Sequence, residues 1–238
     1  MSSSAPALRK AAHLALRHRI GSLLLDIDLQ VTAPWTVLFG PSGSGKSTML
    51  RALAGFVKPA QGRIEVGGQL VADSRLSVWV PAHQRGIRWA GQRAALFPRM
   101  TVAENLAFGL PSHATVERAL HAFHLTDLAR RKAHELSGGE KQRVSVARAA
   151  AGAANRLLLL DEPFAGLDLA VRDQLIQDLK QWIGDAPVIS VTHDVGEAFL
   201  LDAEVVQIGE GKVVAQGPVQ TVLDPQRRRL MDVLGESC

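Results

Sequence analysis

The spacing of hydrophobic positions changes twice along the chain. In LLLDIDLQV the apolar residues after Leu25 fall at every second place, the pattern of an edge or hairpin strand. Pro34 turns the chain into a second apolar run from Thr36 to Phe39, and Arg63–Val66 faces Gln69–Val71 across Gly67-Gly68 as a hairpin. From Thr101 the period lengthens: Thr101 with Glu104 makes a capping box, and Val116, Leu120 and Phe123 fall at helical spacing. The third part alternates again. Leu157–Leu160 is an apolar run of buried-strand length, a helix follows through Leu175 and Leu179, and Pro187–Val191 reads as another strand. Strand and helix in alternation predict an α/β fold with a parallel sheet covered on both faces.

Composition narrows the picture. With 238 residues, 47% hydrophobic and 21% charged, the chain can bury one generous core or two modest ones. Cys238 is the only cysteine, which excludes an intrachain disulfide or a paired-cysteine metal site and implies a reducing compartment. No run approaches the roughly 18 apolar residues of a membrane-spanning helix, since even the leucines ending at Leu160 are preceded by Asn155 and Arg156. The balance of 27 basic and 23 acidic residues, with no block of like charge, describes a mixed solvated surface, and nucleic acid is not expected as a partner. The opening MSSSAPALRKAAHLALRHRI is as poor in acids as some organelle leaders, but no small-residue cleavage site follows and LRHRI runs into a strand-like segment.

Candidate chemistry begins at GPSGSGKST, residues 40–48, between a strand-like and a helix-like segment. Gly40, Gly45, Lys46 and Ser47 fill the fixed places of GxxxxGK[ST], and Pro41, Ser42, Gly43, Ser44 and Thr48 complete the loop. Its glycines let successive N–H groups point inward as a nest for phosphate oxygens, and the helix starting near Lys46 aims the positive end of its dipole at the same place. Lys46 is expected on the β- and γ-phosphates and the Ser47 hydroxyl on Mg²⁺. Downstream, RLLLLDEP brings Asp161 and Glu162 out together at the carboxyl end of a buried strand, where open α/β sheets keep their sites. Alternation along a strand gives the two acids different directions: Asp161 to hold Mg²⁺ through its water, Glu162 to polarise an attacking water.

LSGGEKQR, residues 136–143, then makes the chain resemble the ATP-binding cassette (ABC) ATPase family, whose signature stands one helix before the DE strand. The resemblance implies that Ser137, Gly138, Gly139 and Glu140 meet the γ-phosphate held by the loop of a second subunit, so that a homodimer, or a pair of cassettes, sandwiches two ATP molecules. It further implies that Gln92, in IRWAGQRAALFP, touches Mg²⁺ and the attacking water and senses a membrane partner. Asp168 in AGLD matches the loop crossing the dimer interface, and His193 in VISVTHD matches the histidine that contacts the γ-phosphate. Glu162, His193 and Gln92 are thus the expected catalytic residues, with Ser47, Gln92 and Asp161 on the metal.

The stretch LFPRMTVAENLAFGL resembles the importer branch, and the run that includes LVADSRLSVWVPAHQRGI is most similar to molybdate-type importer ATPases, although sulfate, sugar and polyamine importers share much of it. Three departures stand out. There is no tyrosine to stack on adenine, leaving Arg17, His18 and Arg19 as candidates; GQ replaces the usual FQ at Gln92; and no C-terminal regulatory domain is expected.

The expected architecture is a P-loop NTPase with a RecA-like parallel core, an antiparallel β subdomain and a helical signature subdomain at 93–154, all within one ABC ATPase domain over 1–238. The expected function is the ATP-hydrolysing subunit of an importer, using ATP and Mg²⁺. Its expected place is peripheral, on the cytoplasmic face of the inner or plasma membrane, against separate permease subunits that a solute-binding protein would serve. Three rivals remain: an export cassette; a DNA-associated ABC ATPase, opposed by the absence of sustained heptads between Lys46 and Ser137; and a P-loop kinase, which needs no LSGGE.

Overall fold

The computed structural model describes residues 11–108, 110, 112–154 and 156–235. The start of the leader-like opening, Asn155 and Cys238 lie outside the described residues. The chain forms two compact units, one running up to residue 85 and resuming at 191, the other covering 86–190.

The first unit begins with β1 (Ala12–Ile20), β2 (Leu23–Val31), β3 (Trp35–Phe39), α1 (Lys46–Ala54), β4 (Gln61–Val66), β5 (Gln69–Asp73) and β6 (Val78–Trp79). Five of these strands make an antiparallel sheet in the order β2-β1-β4-β5-β6. In its centre Leu14 stands opposite both Leu29 and Ile64, and the alternate residues Ala12, Leu14, Leu16, Ile27 and Leu29 are buried on one face. The strand therefore starts at Ala12, inside the acid-poor opening, because its basic residues alternate with core residues. The Gly67-Gly68 hairpin forms as expected, with both glycines at positive φ.

Helix α1 ends where Gly55 turns left-handed (φ 87°) and Phe56 N–H donates to Arg51 O at 2.8 Å. Arg85 completes this end from 32 residues downstream: Nη1 donates to Ala52 O and Leu53 O at 2.7 and 2.8 Å, and Nε donates to Val80 O at 2.8 Å. Its guanidinium lies 4.4 Å from the centre of the Trp79 ring.

The second unit carries β7 (Ile87–Ala90), α2 (Val102–Ala107), α3 (His113–Ala122), α4 (Gly138–Ala151), β8 (Leu157–Asp161), α5 (Leu169–Ile183) and the start of β9 (Val188–Thr192), in strand order β9-β8-β7. β7 and β8 run parallel, Ile87 opposite Leu157 and Ala90 opposite Leu160, and every residue of β8 is buried. Val116, Leu120 and Phe123 form the inner side of α3, and Phe123 meets Trp182 of α5 at 5.6 Å between ring centres. The Thr101–Glu104 capping box at α2 is present in both directions.

The chain returns through β9 to α6 (Val195–Leu201), β10 (Glu204–Gly209), β11 (Lys212–Pro218), α7 (Val219–Val222) and α8 (Asp224–Gly235). β10 runs parallel to β3, Val205 opposite Val37, and antiparallel to β11 with a bulge at Gln207/Ile208. Among the described residues, no helix is long and apolar enough to cross a membrane.

Candidate nucleotide site and its partners

In the first unit, β3 delivers the chain into the 40–48 loop and α1 receives it. Gly40 (φ 154°) and Gly45 (φ 101°) cannot be replaced there: a Cβ would stand 2.2 Å from Ile208 O in one case and 2.2 Å from Leu25 Cδ2 in the other. Gly45 is also the N-cap of α1 and, having no side chain, makes no side-chain cap there. Lys46, only 5% exposed, folds back through the loop, its Nζ donating to Gly40 O at 2.7 Å and Pro41 O at 2.8 Å. The loop is thereby held in a closed curve with a cation inside it and a helix N-terminus at its base, an arrangement that favours polyanionic phosphate. His193 also belongs to this unit, exposed in the turn from β9 to α6.

In the second unit, Asp161 ends β8 and is 1% exposed. Glu162 lies beyond the strand and takes a left-handed conformation, φ 49°. The strand thus ends at Asp161, and Glu162 lies in the turn beyond it rather than on the strand whose alternation was expected to direct it. Gln92 Nε2 donates to Glu162 Oε2 at 3.3 Å, so the structure brings these two expected residues together. Ser137 caps α4: its hydroxyl accepts from Glu140 N–H at 3.3 Å, and the Glu140 carboxylate accepts from Ser137 N–H at 2.7 Å. These hydrogen bonds, with Arg131 and Arg143 nearby, hold the Glu140 carboxyl below the usual carboxylate range. Asp168 is the N-cap of α5, accepting from Val171 N–H at 3.0 Å.

The candidate adenine residues lie on β1, where Arg17 and Arg19 share one face and His18 Nδ1 faces Ala60 N–H at 3.3 Å. Arg17 lines an open cavity of about 810 Å³ together with Asp26, Asp28 and Arg63.

The family model described as ABC transporter matches residues 24–165, more than half of the chain. The chain belongs to the ABC transporter family. Among curated relatives, a molybdenum import ATP-binding protein ModC of Mesorhizobium japonicum is 38% identical over 214 residues, 87% of this chain and 58% of the relative. An Fe(3+) ions import ATP-binding protein FbpC of the same organism is 39% identical over 224 residues, 90% of this chain and 61% of the relative. This ABC-family chain therefore spans about three-fifths of the length of these curated relatives. Among solved structures, cbiO1 from Clostridium perfringens, described as part of the ABC transporter complex cbiONQ, superposes with a TM-score of 0.77 at 25% identity, covering 94% of this chain and 95% of that one. The fold is accordingly the α/β, P-loop NTPase fold of ABC cassettes.

The donors expected on a metal, the Ser47 hydroxyl, the Asp161 carboxylate and the Gln92 amide oxygen, are hard oxygen ligands of the kind Mg²⁺ takes. Among the described residues there is no group of three or more His, Cys, Asp or Glu side chains suited to a metal.

Several supporting residues escaped the sequence. Gln142, buried on α4, donates to Pro163 O at 3.0 Å and so ties the signature helix to the turn holding Glu162. Arg148, on the same helix, donates to Ala95 O at 2.7 Å and fixes the segment after Gln92. The GQ departure is explained by Trp89: a Cβ on Gly91 would lie 2.9 Å from Trp89 Nε1, so the indole fills the space a side chain at 91 would take. The only signal for this in the sequence was a tryptophan two places before a glycine.

Proposed function

We propose that this chain is the ATP-hydrolysing cassette of an ABC importer, a single ABC ATPase domain with its signature helices at 93–154. The observation that carries the reading is the 40–48 loop: Gly40 and Gly45 where a Cβ would clash, Lys46 enclosed, and a helix N-terminus at its base. Ser47, Asp161 and Gln92 would hold Mg²⁺, which when bound offsets charge on the phosphate oxygens. Gly40–Thr48 bind and orient the nucleotide, Glu162 accepts a proton from the attacking water, Gln92 orients that carboxylate, and His193 donates a hydrogen bond to the γ-phosphate.

The signature residues Ser137, Gly138, Gly139 and Glu140 are assigned to the nucleotide of a second copy. Support comes from Gly138, where an added Cβ would meet nothing within 4 Å: packing inside the chain does not explain that glycine, whereas close approach of another subunit does. Asp168 faces the same interface, and permease subunits dock on the cassette at the cytoplasmic face of the membrane.

Glu162→Gln should bind ATP yet lose multiple turnover, and Ser137→Arg should lose hydrolysis while each chain still binds nucleotide. Robust turnover in either variant rejects the reading. For the solute we favour molybdate, on the resemblance of the run that includes residues 70–87. Fe(3+) is the second reading, favoured by relatives of equal identity named for that ion. Copurifying the cassette with its permease and measuring ATP hydrolysis with molybdate or Fe(3+) supplied separates the two.

A further inference from the structure

The turn that carries His193 is held from both sides by one buried residue that has no role in the reaction described above. Thr192, the last residue of β9, is buried, and its hydroxyl donates to Glu197 Oε2 at 2.5 Å. The same hydroxyl accepts from Asp194 N–H at 3.0 Å. Asp194 in turn caps α6, its Oδ1 accepting from Glu197 N–H at 2.8 Å. Residue 193 therefore sits between two neighbours that both bond to Glu197, one to its carboxylate and one to its backbone. Glu197 is 7% exposed, on the first turn of α6.

Capping does not require a glutamate at this place, because Asp194 already supplies the side-chain acceptor to α6. The buried carboxylate is engaged with the Thr192 hydroxyl, and a hydroxyl that donates to a carboxylate makes a short, strong bond and turns its lone pairs in a fixed direction. That direction receives Asp194 N–H. Orientation thus passes from Glu197 through Thr192 to the backbone on the far side of the histidine, which is the geometry of a support for an exposed imidazole.

We propose that Glu197 is a positioning residue for His193, acting through Thr192 to hold the 192–194 turn so that the imidazole is presented in one orientation. This rests on the reading that His193 contacts the γ-phosphate.

The test uses the full chain. Glu197→Ala and Thr192→Val should each lower kcat about tenfold or more with the KM for ATP within about twofold. Glu197→Gln, whose amide oxygen still accepts, and Thr192→Ser, which keeps the hydroxyl, should restore most of the rate. Combined with His193→Ala, neither Glu197→Ala nor Thr192→Val should add a further loss, because all act on one unit. Where His193→Ala itself lowers kcat, multiplicative losses, or an unchanged kcat in both Glu197→Ala and Thr192→Val, overturn the proposal. The ring resonances of His193, observed by NMR without nucleotide, give a readout that does not depend on hydrolysis. They should move in Glu197→Ala and Thr192→Val and stay in place in Thr192→Ser. If His193→Ala hydrolyses ATP normally while those resonances move as expected, the role of His193 fails and the positioning by Glu197 stands. If they do not move, the positioning fails.

Discussion

Arg85 gives a direct test of how the phosphate-loop helix is supported from its far end. Replacing it with alanine removes a guanidinium that is 5% exposed and whose pKa burial pulls down from its ordinary value to about 10. Gly55 N–H already supplies Ala52 O at 3.2 Å, so the acceptors that depend most on Arg85 are Leu53 O and Val80 O. Each such bond to a charged donor contributes about 1.5 kcal/mol net, and the contact with Trp79 adds about 0.5 to 1 kcal/mol. Against this, Nη2 is buried and donates to nothing among the described residues, and shedding that burden returns about 1 kcal/mol. The net loss is about 2.5 to 3 kcal/mol, concentrated at the end of α1. Native-state amide exchange reads it locally: amides of residues 49–54 should exchange roughly 70- to 160-fold faster in Arg85→Ala, while those of β1 and β2 change by less than about threefold. Arg85→Lys, a point charge without the planar fork, should fall between the two. Exchange in α1 within about threefold of the parent protein for Arg85→Ala would refute the assignment of the cap.

Three further outcomes concern Gly91, Asn105 and Glu140. Gly91→Phe should push Trp89 aside and lower ATP hydrolysis about tenfold or more by displacing Gln92, and adding Trp89→Val should recover much of it in steady-state assays. Asn105, fully buried, accepts from Phe97 N–H at 2.9 Å and donates to Phe97 O and Thr101 O at 3.1 and 3.0 Å, so Asn105→Leu should lower stability by about 3 kcal/mol in urea unfolding. The Glu140 carboxyl has a depressed pKa in the folded state, so its contribution to α4 is fully present above the ordinary carboxylate pKa of about 4.3 and is lost as pH falls through the folded value. Circular dichroism between pH 5 and pH 2 should therefore show a loss of helix that Glu140→Gln lessens.

What the sequence disclosed was local. The four leucines of β8, the Gly67-Gly68 turn and the pair Thr101/Glu104 each carry their structural instruction within a few residues, and each formed as read. The 40–48 loop was legible for the same reason, since its glycines, lysine and hydroxyls are consecutive. β1 was harder, because Ala12, Leu14 and Leu16 are interleaved with basic residues that resemble a leader. Long-range arrangements left no such trace. Arg85 reaches carbonyls 32 and 33 residues away, Trp89 displaces a side chain at 91, and Gln142 bonds 21 residues ahead to Pro163. None of these has a period or a motif, only a packed geometry that exists once the chain has folded. Alternation was expected to act on both acids, but the strand ends at Asp161 and leaves Glu162 in a left-handed turn.

On the proposed role of Glu162, its left-handed dihedral sets stability and activity in opposition. A residue with a Cβ held at φ 49° gives up about 1 to 2 kcal/mol relative to a relaxed conformation, and glycine would sit there without that strain. Selection for thermal tolerance alone, whether in a laboratory screen or by consensus substitution, would find position 162 among its easy gains and would remove the carboxylate in the process. A hardened variant of this chain obtained without an activity filter is therefore exposed to a specific failure: a well-folded, nucleotide-binding protein that no longer turns over.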